Sequence, residues 1–418
     1  MSPSLKAAVA LGALAVAAVI LPVPLVLLAA LALTAATVID AFSVRRRPEV
    51  VRRVAVMLAR GSPTPLQVDA TAAGGSSVRV RQPSTADLAV DPPEADGHLE
   101  AVLLPRRRGR HRLPPPVTRT VGPLGLGRWD HAGAEATEVV VYPDLPGARR
   151  LALAVRQGRF GGQGLRSRGP LGLGTEFESV RDYVTDDDIR QVNWLATARM
   201  ARPMSNQYRV DQDRDVVCLV DAGRLMAAPL PGPDRQTRLD ATLDAVTAVA
   251  LVADELGDRC GTVAFDAGIR RRVAPRRRGG RPVVEALFDL EPTGVDSDYE
   301  LAFRTVARSR RALVLVLTDL LEEGAARPLV EAVPVLARRH AVVVASVADP
   351  DLADLVRTPP STPLDAYAAS VAVEVLDARA RVVHQLTGAG AEVVEAPPGQ
   401  LAAACVAAYL RLKNRARL

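Results

Sequence analysis

At 418 residues the chain is too long for one ordinary soluble domain, and with 48% apolar residues it is too hydrophobic for a disordered one. The formal charge of +6 hides a split: residues 1–170 carry 22 basic against 12 acidic side chains, whereas residues 171–418 carry 31 against 35. The larger part therefore lacks the basic footprint of a nucleic-acid binder, and three separated cysteines (Cys218, Cys260, Cys405) exclude a disulfide scaffold or a cysteine-rich zinc module.

From Ala7 to Ile39 no side chain is charged, and about 20 such residues suffice to cross a bilayer. Pro22 and Pro24 interrupt the stretch at its centre. A hairpin of two short spans and one long kinked helix both remain open. Arg45, Arg46, Arg47, Arg52 and Arg53 follow the segment, and only Lys6 precedes it. The positive-inside bias then places everything after residue 45 in the cytoplasm, with residues 1–45 as a cell-membrane anchor and the lipid bilayer as a partner. A cleaved signal peptide has a shorter apolar core and no arginine cluster at its exit.

Residues 46–150 change character. Leu66, Val68 and Ala70 alternate with polar residues, as do Val78–Val80 and Leu99–Leu103, and Gly and Pro punctuate the runs. Short alternating strands with turn residues between them predict a small antiparallel β-sandwich. The block from Arg106 to Arg112 reads as a solvated loop, with contact to anionic headgroups as the sharper alternative. From Arg156 to Gly174 there are seven glycines and four arginines; without a preceding strand they form no phosphate loop, and residues 151–174 read as a Gly/Arg linker.

Residues 175–418 read as one further unit. The segment 172–215, which runs from the end of the linker into this unit, holds Gly172, Gly174 and Phe177, then Arg181 and Tyr183, the pair Asp187–Asp188 with Arg190 and Trp194, and Ala198–Arg199. These elements, in this order, resemble the bacterial domain-of-unknown-function family 58 (DUF58). Two departures are Asp186, where the family commonly has Gly, and Leu195, where Lys is usual. Mixed Asp and Arg around one indole predict an ion-pair network packed on Trp194, with cation–π contact from Arg190 or Arg199. That network would clamp the linker to the next domain or offer a docking surface of Arg181, Tyr183, Asp187, Asp188, Arg190, Trp194 and Arg199.

From Val216 onward, apolar runs alternate with amphipathic helices: Val216–Val220, Cys260–Phe265, Ala312–Thr318, Ala341–Val347 and Glu392–Glu395 predict strands of a parallel sheet covered on both faces. Right-handed crossovers make it an α/β doubly wound unit, and Asp221, Asp266, Asp319 and Asp349 fall at strand ends, where such sheets bind ligands. The family resemblance extends here to the von Willebrand factor A domain. That domain's metal site uses Asp-x-Ser-x-Ser after the first strand, a Thr and a later Asp, which would place Mg²⁺ on Asp221, Thr293 and Asp319, with Asp296 or Asp298 as substitutes. Both serine positions here are Gly223 and Leu225, and Arg224 lies between them. Capping of the next helix or pairing with arginine is the simpler use of an Asp at such positions, so no cofactor is expected.

No nucleophile elbow, His-Glu-x-x-His or phosphate loop is present in the sequence, and the expectation is a non-enzyme. The DUF58 resemblance implies an interaction or adaptor protein working with a MoxR-type AAA+ ATPase in protein assembly. A Mg²⁺-dependent ligand binder or enzyme at the Asp rim is the alternative.

Overall fold

The computed structural model describes residues 1–72, 76–133, 135–160, 171–184, 192–209, 214–232, 236–307, 310–320 and 323–414. The chain divides into two compact units, Met1–Tyr142 and Pro143–Leu418.

The first unit opens with β1 (Ser2–Pro3), α1 (Leu5–Ala17) and α2 (Val23–Ser43). The apolar stretch is thus broken: proline has no N–H to donate and fixes its own φ, so it starts a helix well and continues one badly. Pro22 is the N-cap of α2 and Pro24 lies in its first turn. At about 1.5 Å per residue α1 reaches only about 20 Å. Among the described residues α2 is the one helix long and apolar enough to cross a membrane.

The rest of this unit is β-rich: β2 (Glu49–Val54), β3 (Met57–Ala59), β4 (Thr64–Thr71), β5 (Val78–Arg81), β6 (Leu88–Asp91), β7 (Glu94–Asp96), β8 (His98–Pro105), β9 (Gly109–Leu113), β10 (Val117–Val121), β11 (Gly127–Ala132) and β12 (Thr137–Tyr142). They form sheets in the orders β1-β11-β10-β5-β7, β2-β4-β8-β6 and β3-β12-β9. All ladders are antiparallel except β3 with β12. The period-two pattern works as expected: Leu66, Val68 and Ala70 point into a core with Leu88, Leu99, Leu103, Val139 and Val141. One expectation changes. The arginine block is only partly a loop, since Gly109–Leu113 pairs with β12 and Arg108 is buried.

The second unit begins with α3 (Leu145–Arg156), where the sequence pattern passes from sandwich to linker. Asp144 caps it, accepting from the Gly147 N–H at 2.9 Å, and Ala148 and Ala152 are buried in the core of this unit. Next come β13 (Leu171–Asp182), α4 (Trp194–Met200) and β14 (Met204–Arg209), with β13 and β14 antiparallel.

The α/β part follows: β15 (Asp215–Asp221), α5 (Arg238–Glu255), β16 (Arg259–Phe265), β17 (Ile269–Arg277), α6 (Gly280–Leu287), α7 (Tyr299–Ala307), β18 (Ala312–Leu317), α8 (Glu323–Ala337), β19 (Ala341–Val347), α9 (Pro350–Arg357), α10 (Pro363–Gly388), β20 (Glu392–Ala396) and α11 (Pro398–Asn414). The sheet order is β17-β16-β15-β18-β19-β20, parallel except for the antiparallel edge strand β17. Both faces are covered. Val216, Cys218 and Val220 of β15 join a core built with α3, α5, α6 and α11, while Val217 and Leu219 face α7, α8 and the last turns of α10. That two-sided burial is why β15, β18 and β19 read as unbroken apolar runs. From β15 the chain builds outward through β16 and β17 on one side and then returns to lay β18 on the other, so the strand order reverses between β15 and β18, and a crevice outside their carboxyl ends is the expected ligand position.

Candidate functional site

Asp221 ends β15 at that crevice and is 2% exposed. Its carboxylate is fully engaged by neutral donors. The Gly223 N–H reaches Oδ1 at 2.8 Å, and the Ser297 hydroxyl donates to the same oxygen. Thr318 Oγ1 and Tyr299 OH donate to Oδ2 at 2.6 and 2.9 Å. The phenol of Tyr299 is held well above its ordinary range, first by burial and then by the Asp221 charge. Gly223 stands where the metal-binding pattern has its first serine. A Cβ there would lie 2.2 Å from Ser297 Oγ, so a hydroxyl from another loop fills the space that the serine would take.

Asp319, next to Thr318, meets a cation supplied by the chain. Arg238 Nη1 donates to Asp319 Oδ1 at 2.9 Å and Nη2 to Asp349 Oδ2 at 3.5 Å. The Arg238 and Asp319 side chains are 4% and 1% exposed. Arg238 opens α5 behind the Thr237/Asp240 capping box. A cation at a helix N-terminus opposes the helix dipole, so the carboxylates, not the helix, hold it there. Asp349 also caps α9 by accepting from the Asp351 N–H at 3.1 Å.

Asp266, after β16, accepts from Arg270 Nη1 at 2.7 Å, Gly268 N–H at 2.9 Å and Thr293 Oγ1 at 3.2 Å. Burial works to raise its pKa, but the bonds from Arg270, Gly268 and Thr293 hold the carboxyl below its ordinary value. Of the three expected metal ligands, then, Thr293 turns to Asp266, and Asp221 and Asp319 are bonded within the protein. Asp296 is paired with Arg224, and Asp298 caps α7 through the Leu301 N–H. Among the described residues no three His, Cys, Asp or Glu side chains are grouped closely enough to hold a metal ion. The sequence pattern picks out the strand-end Asp positions but not Arg238, Ser297, Tyr299 and Thr318; the one local signal is an arginine in the first turn of a capped helix.

In the motif segment, Asp186, Asp187, Asp188 and Arg190 lie outside the described residues. Arg181 and Tyr183 sit at the end of β13, where Arg181 donates to the Asp182 carbonyl at 3.0 Å and the Tyr183 N–H to the Pro203 carbonyl at 3.0 Å. Asn193 caps α4 by accepting from the Ala196 N–H at 2.9 Å, and Thr197 Oγ1 accepts from the Met204 N–H at 3.0 Å. The inner side of α4 is thereby tied to β14, and its other side is left outward. Trp194 is 72% exposed and Leu195 71% exposed, with Met200 and Arg199 also at the surface. Helix α4 is only seven residues long, and Trp194 begins it on the exposed side, while the acidic partners and Arg190 expected around the indole lie outside the described residues.

At the opposite, amino edge of the sheet lies a cleft of about 570 Å³, bordered by Arg311, His340, Thr387, Glu392 and Arg411. His340 is 5% exposed, and neither ring nitrogen has a hydrogen-bond partner. Burial, then the charges of Arg339 and Arg311, lower its pKa.

Residues 179–384 match the family model described as protein of unknown function DUF58. Uncharacterised proteins of Mycobacterium bovis and Mycobacterium tuberculosis are each 27% identical over 187 residues, which is 43% of this chain and 56% of theirs. The chain thus spans little more than half the length of these curated relatives. Among solved structures, an uncharacterised membrane-spanning protein from Vibrio fischeri aligns over 49% of this chain and 99% of its own at 16% identity, with a TM-score of 0.17. A cohesin module of a Clostridium perfringens family 33 glycoside hydrolase covers 23% of this chain and 96% of its own at 11% identity, with a TM-score of 0.15. Scores this low carry no fold assignment.

Proposed function

We propose that the chain is a membrane-anchored interaction protein, with both folded units in the cytoplasm, that docks a protein partner through α4 and the adjoining strand ends. The α/β unit is read as von Willebrand A-like, with its metal position taken by the guanidinium of Arg238. The observation that carries the reading is this internal cation. A buried arginine lies between Asp319 and Asp349, beside an Asp221 engaged by three hydroxyls and a backbone N–H, so among the described residues the strand-end carboxylates are taken up within the protein. On the matched family segment α4 presents the exposed set Trp194, Leu195 and Met200, with Arg199 beside it. A large exposed aromatic next to arginine has the composition of an interface hot spot.

The partner implied by the DUF58 resemblance is a MoxR-type AAA+ ATPase, with the chain acting as its adaptor at the membrane. The anchor is read as a two-helix hairpin, α1 and α2. The test is affinity capture of the full-length protein from detergent-solubilised native membranes, with and without ATP, read by mass spectrometry. Recovery of an AAA+ ATPase that depends on nucleotide, and is lost with Trp194→Ala and Arg199→Ala, supports the reading. Recovery that is indifferent to both substitutions removes the docking face, and absence of any ATPase removes the adaptor role.

A further inference from the structure

The apolar stretch begins and ends on one loop. Ser2 and Pro3 pair with Arg128 and Gly127 of β11. The Ser4 N–H then donates to the Leu126 carbonyl at 2.7 Å, and Ser4 Oγ to the Gly125 carbonyl at 2.6 Å. At the far end of the stretch, in the last turns of α2, the carboxylate of Asp40 accepts the N–H groups of Leu124, Leu126 and Gly127 at 2.8–2.9 Å. Asp40 is 2% exposed, so a charged residue within an apolar helix is satisfied entirely by this loop. Both helices therefore leave the β-rich unit from the same place, and the turn between them, with Val19 and Ile20 more than 80% exposed, lies at the distal end.

The surroundings of the loop share one chemistry. Residues 122–127 read Gly-Pro-Leu-Gly-Leu-Gly, and Leu124 at the tip is 63% exposed, where a turn facing water ordinarily carries a polar residue. Phe42 meets Trp129 edge-on with ring centroids 5.9 Å apart, and the Arg45 guanidinium sits 5.3 Å from the Phe42 ring centroid. Lys6, Arg45, Arg46 and Arg47 are all exposed. Aromatics and cations at the end of an apolar helix are the composition of a bilayer interface, and clustered cations there attract anionic lipids.

We propose that Lys6, Arg45, Arg46, Arg47, Leu124 and Trp129 form a collar that seats the β-rich unit directly on anionic phospholipid headgroups, with Leu124 entering the acyl boundary. The collar rests on the membrane-anchor reading above and adds to it a lipid-recognition surface.

The chain has two tryptophans, so Trp194→Phe leaves Trp129 as the only indole reporter. The full-length variant is reconstituted into vesicles of phosphatidylcholine with phosphatidylglycerol, one lipid at a time carrying a nitroxide at a shallow or a deep acyl position. The expected result is several-fold stronger quenching of Trp129 by the shallow label than by the deep one, and stronger quenching by labelled phosphatidylglycerol than by labelled phosphatidylcholine. Replacing Lys6, Arg45, Arg46 and Arg47 together with Gln abolishes the headgroup preference and keeps the depth profile. Equal quenching by the two labelled lipids overturns anion recognition. Retention with the vesicles after an alkaline wash, measured on the same sample, reports the anchor by itself. A retained protein with unquenched Trp129 overturns the collar alone, and a protein washed off the vesicles overturns both.

Discussion

Replacing Arg238 with Met tests the internal cation directly, because Met keeps much of the stem and removes only the charge and the donors. Asp319, 1% exposed, then keeps a buried carboxylate without the guanidinium 2.9 Å away, and Asp349 loses its longer contact. Breaking one partner of a buried pair costs about 3–5 kcal/mol, most of it the uncompensated charge. For a unit of this size each kcal/mol moves the thermal midpoint by about 2–4 °C, so the expected loss is about 6–20 °C. Scanning calorimetry of the full-length protein in detergent reads the shift as a change in the transition of the α/β unit, since two units need not unfold together. Adding Asp319→Asn to Arg238→Met removes the stranded charge and is expected to recover at least half of the loss. A single variant that melts within about 1 °C of the parent, or a double variant whose loss is the sum of the two singles, refutes the pairing as the organising contact of the crevice.

Three further outcomes are expected. Calorimetric titration of Mg²⁺ into the detergent-solubilised protein gives no micromolar binding; micromolar binding that disappears with Asp221→Ala would mean that the crevice holds a metal after all. His340 has its pKa lowered by burial, so its unfolded form, titrating at about 6.5, takes up a proton first. Stability is then unaffected above that pH and declines as pH falls below it, and His340→Phe flattens the decline; equal slopes for both proteins in melts from pH 7.5 to pH 5 count against it. Gly127→Ala places a Cβ 2.4 Å from the Ala41 nitrogen and 2.6 Å from the Thr37 carbonyl, both backbone atoms that cannot step aside. About 1–3 kcal/mol of overpacking strain is expected at the clasp around Asp40, read as faster protease cleavage within residues 121–128, and unchanged cleavage contradicts it.

The α/β unit was legible because β15, β18 and β19 are buried on both faces and stand out as apolar runs, while α5, buried along nearly its whole length, carries its large apolar residues at helical spacing. The Asp at each strand end was equally plain. What fills the space between them was not, because Arg238 meets Asp319 across 81 residues of sequence and Thr318 meets Asp221 across 97. Thr293 was the natural choice by family pattern, yet the loop carries it to Asp266, and Thr318 takes the place beside Asp221. Helix α3 leaves little apolar signature in the sequence, because its buried face is two alanines and a few half-buried residues between a proline-glycine start and arginines. Asp40 follows directly on an apolar run in the sequence, and its three backbone donors come from a loop more than 80 residues away.

The most direct measurement places a photo-crosslinking amino acid at Trp194 and, separately, at Asp296 on the rim of the strand-end crevice, where the side chain is 78% exposed. Both full-length proteins are irradiated in native membranes with ATP, and adducts are identified by mass spectrometry. An AAA+ ATPase joined to position 194 and not to position 296 is the expected result. Adducts formed at 296 alone would move the working surface to the Asp rim and contradict the reading of that rim as closed.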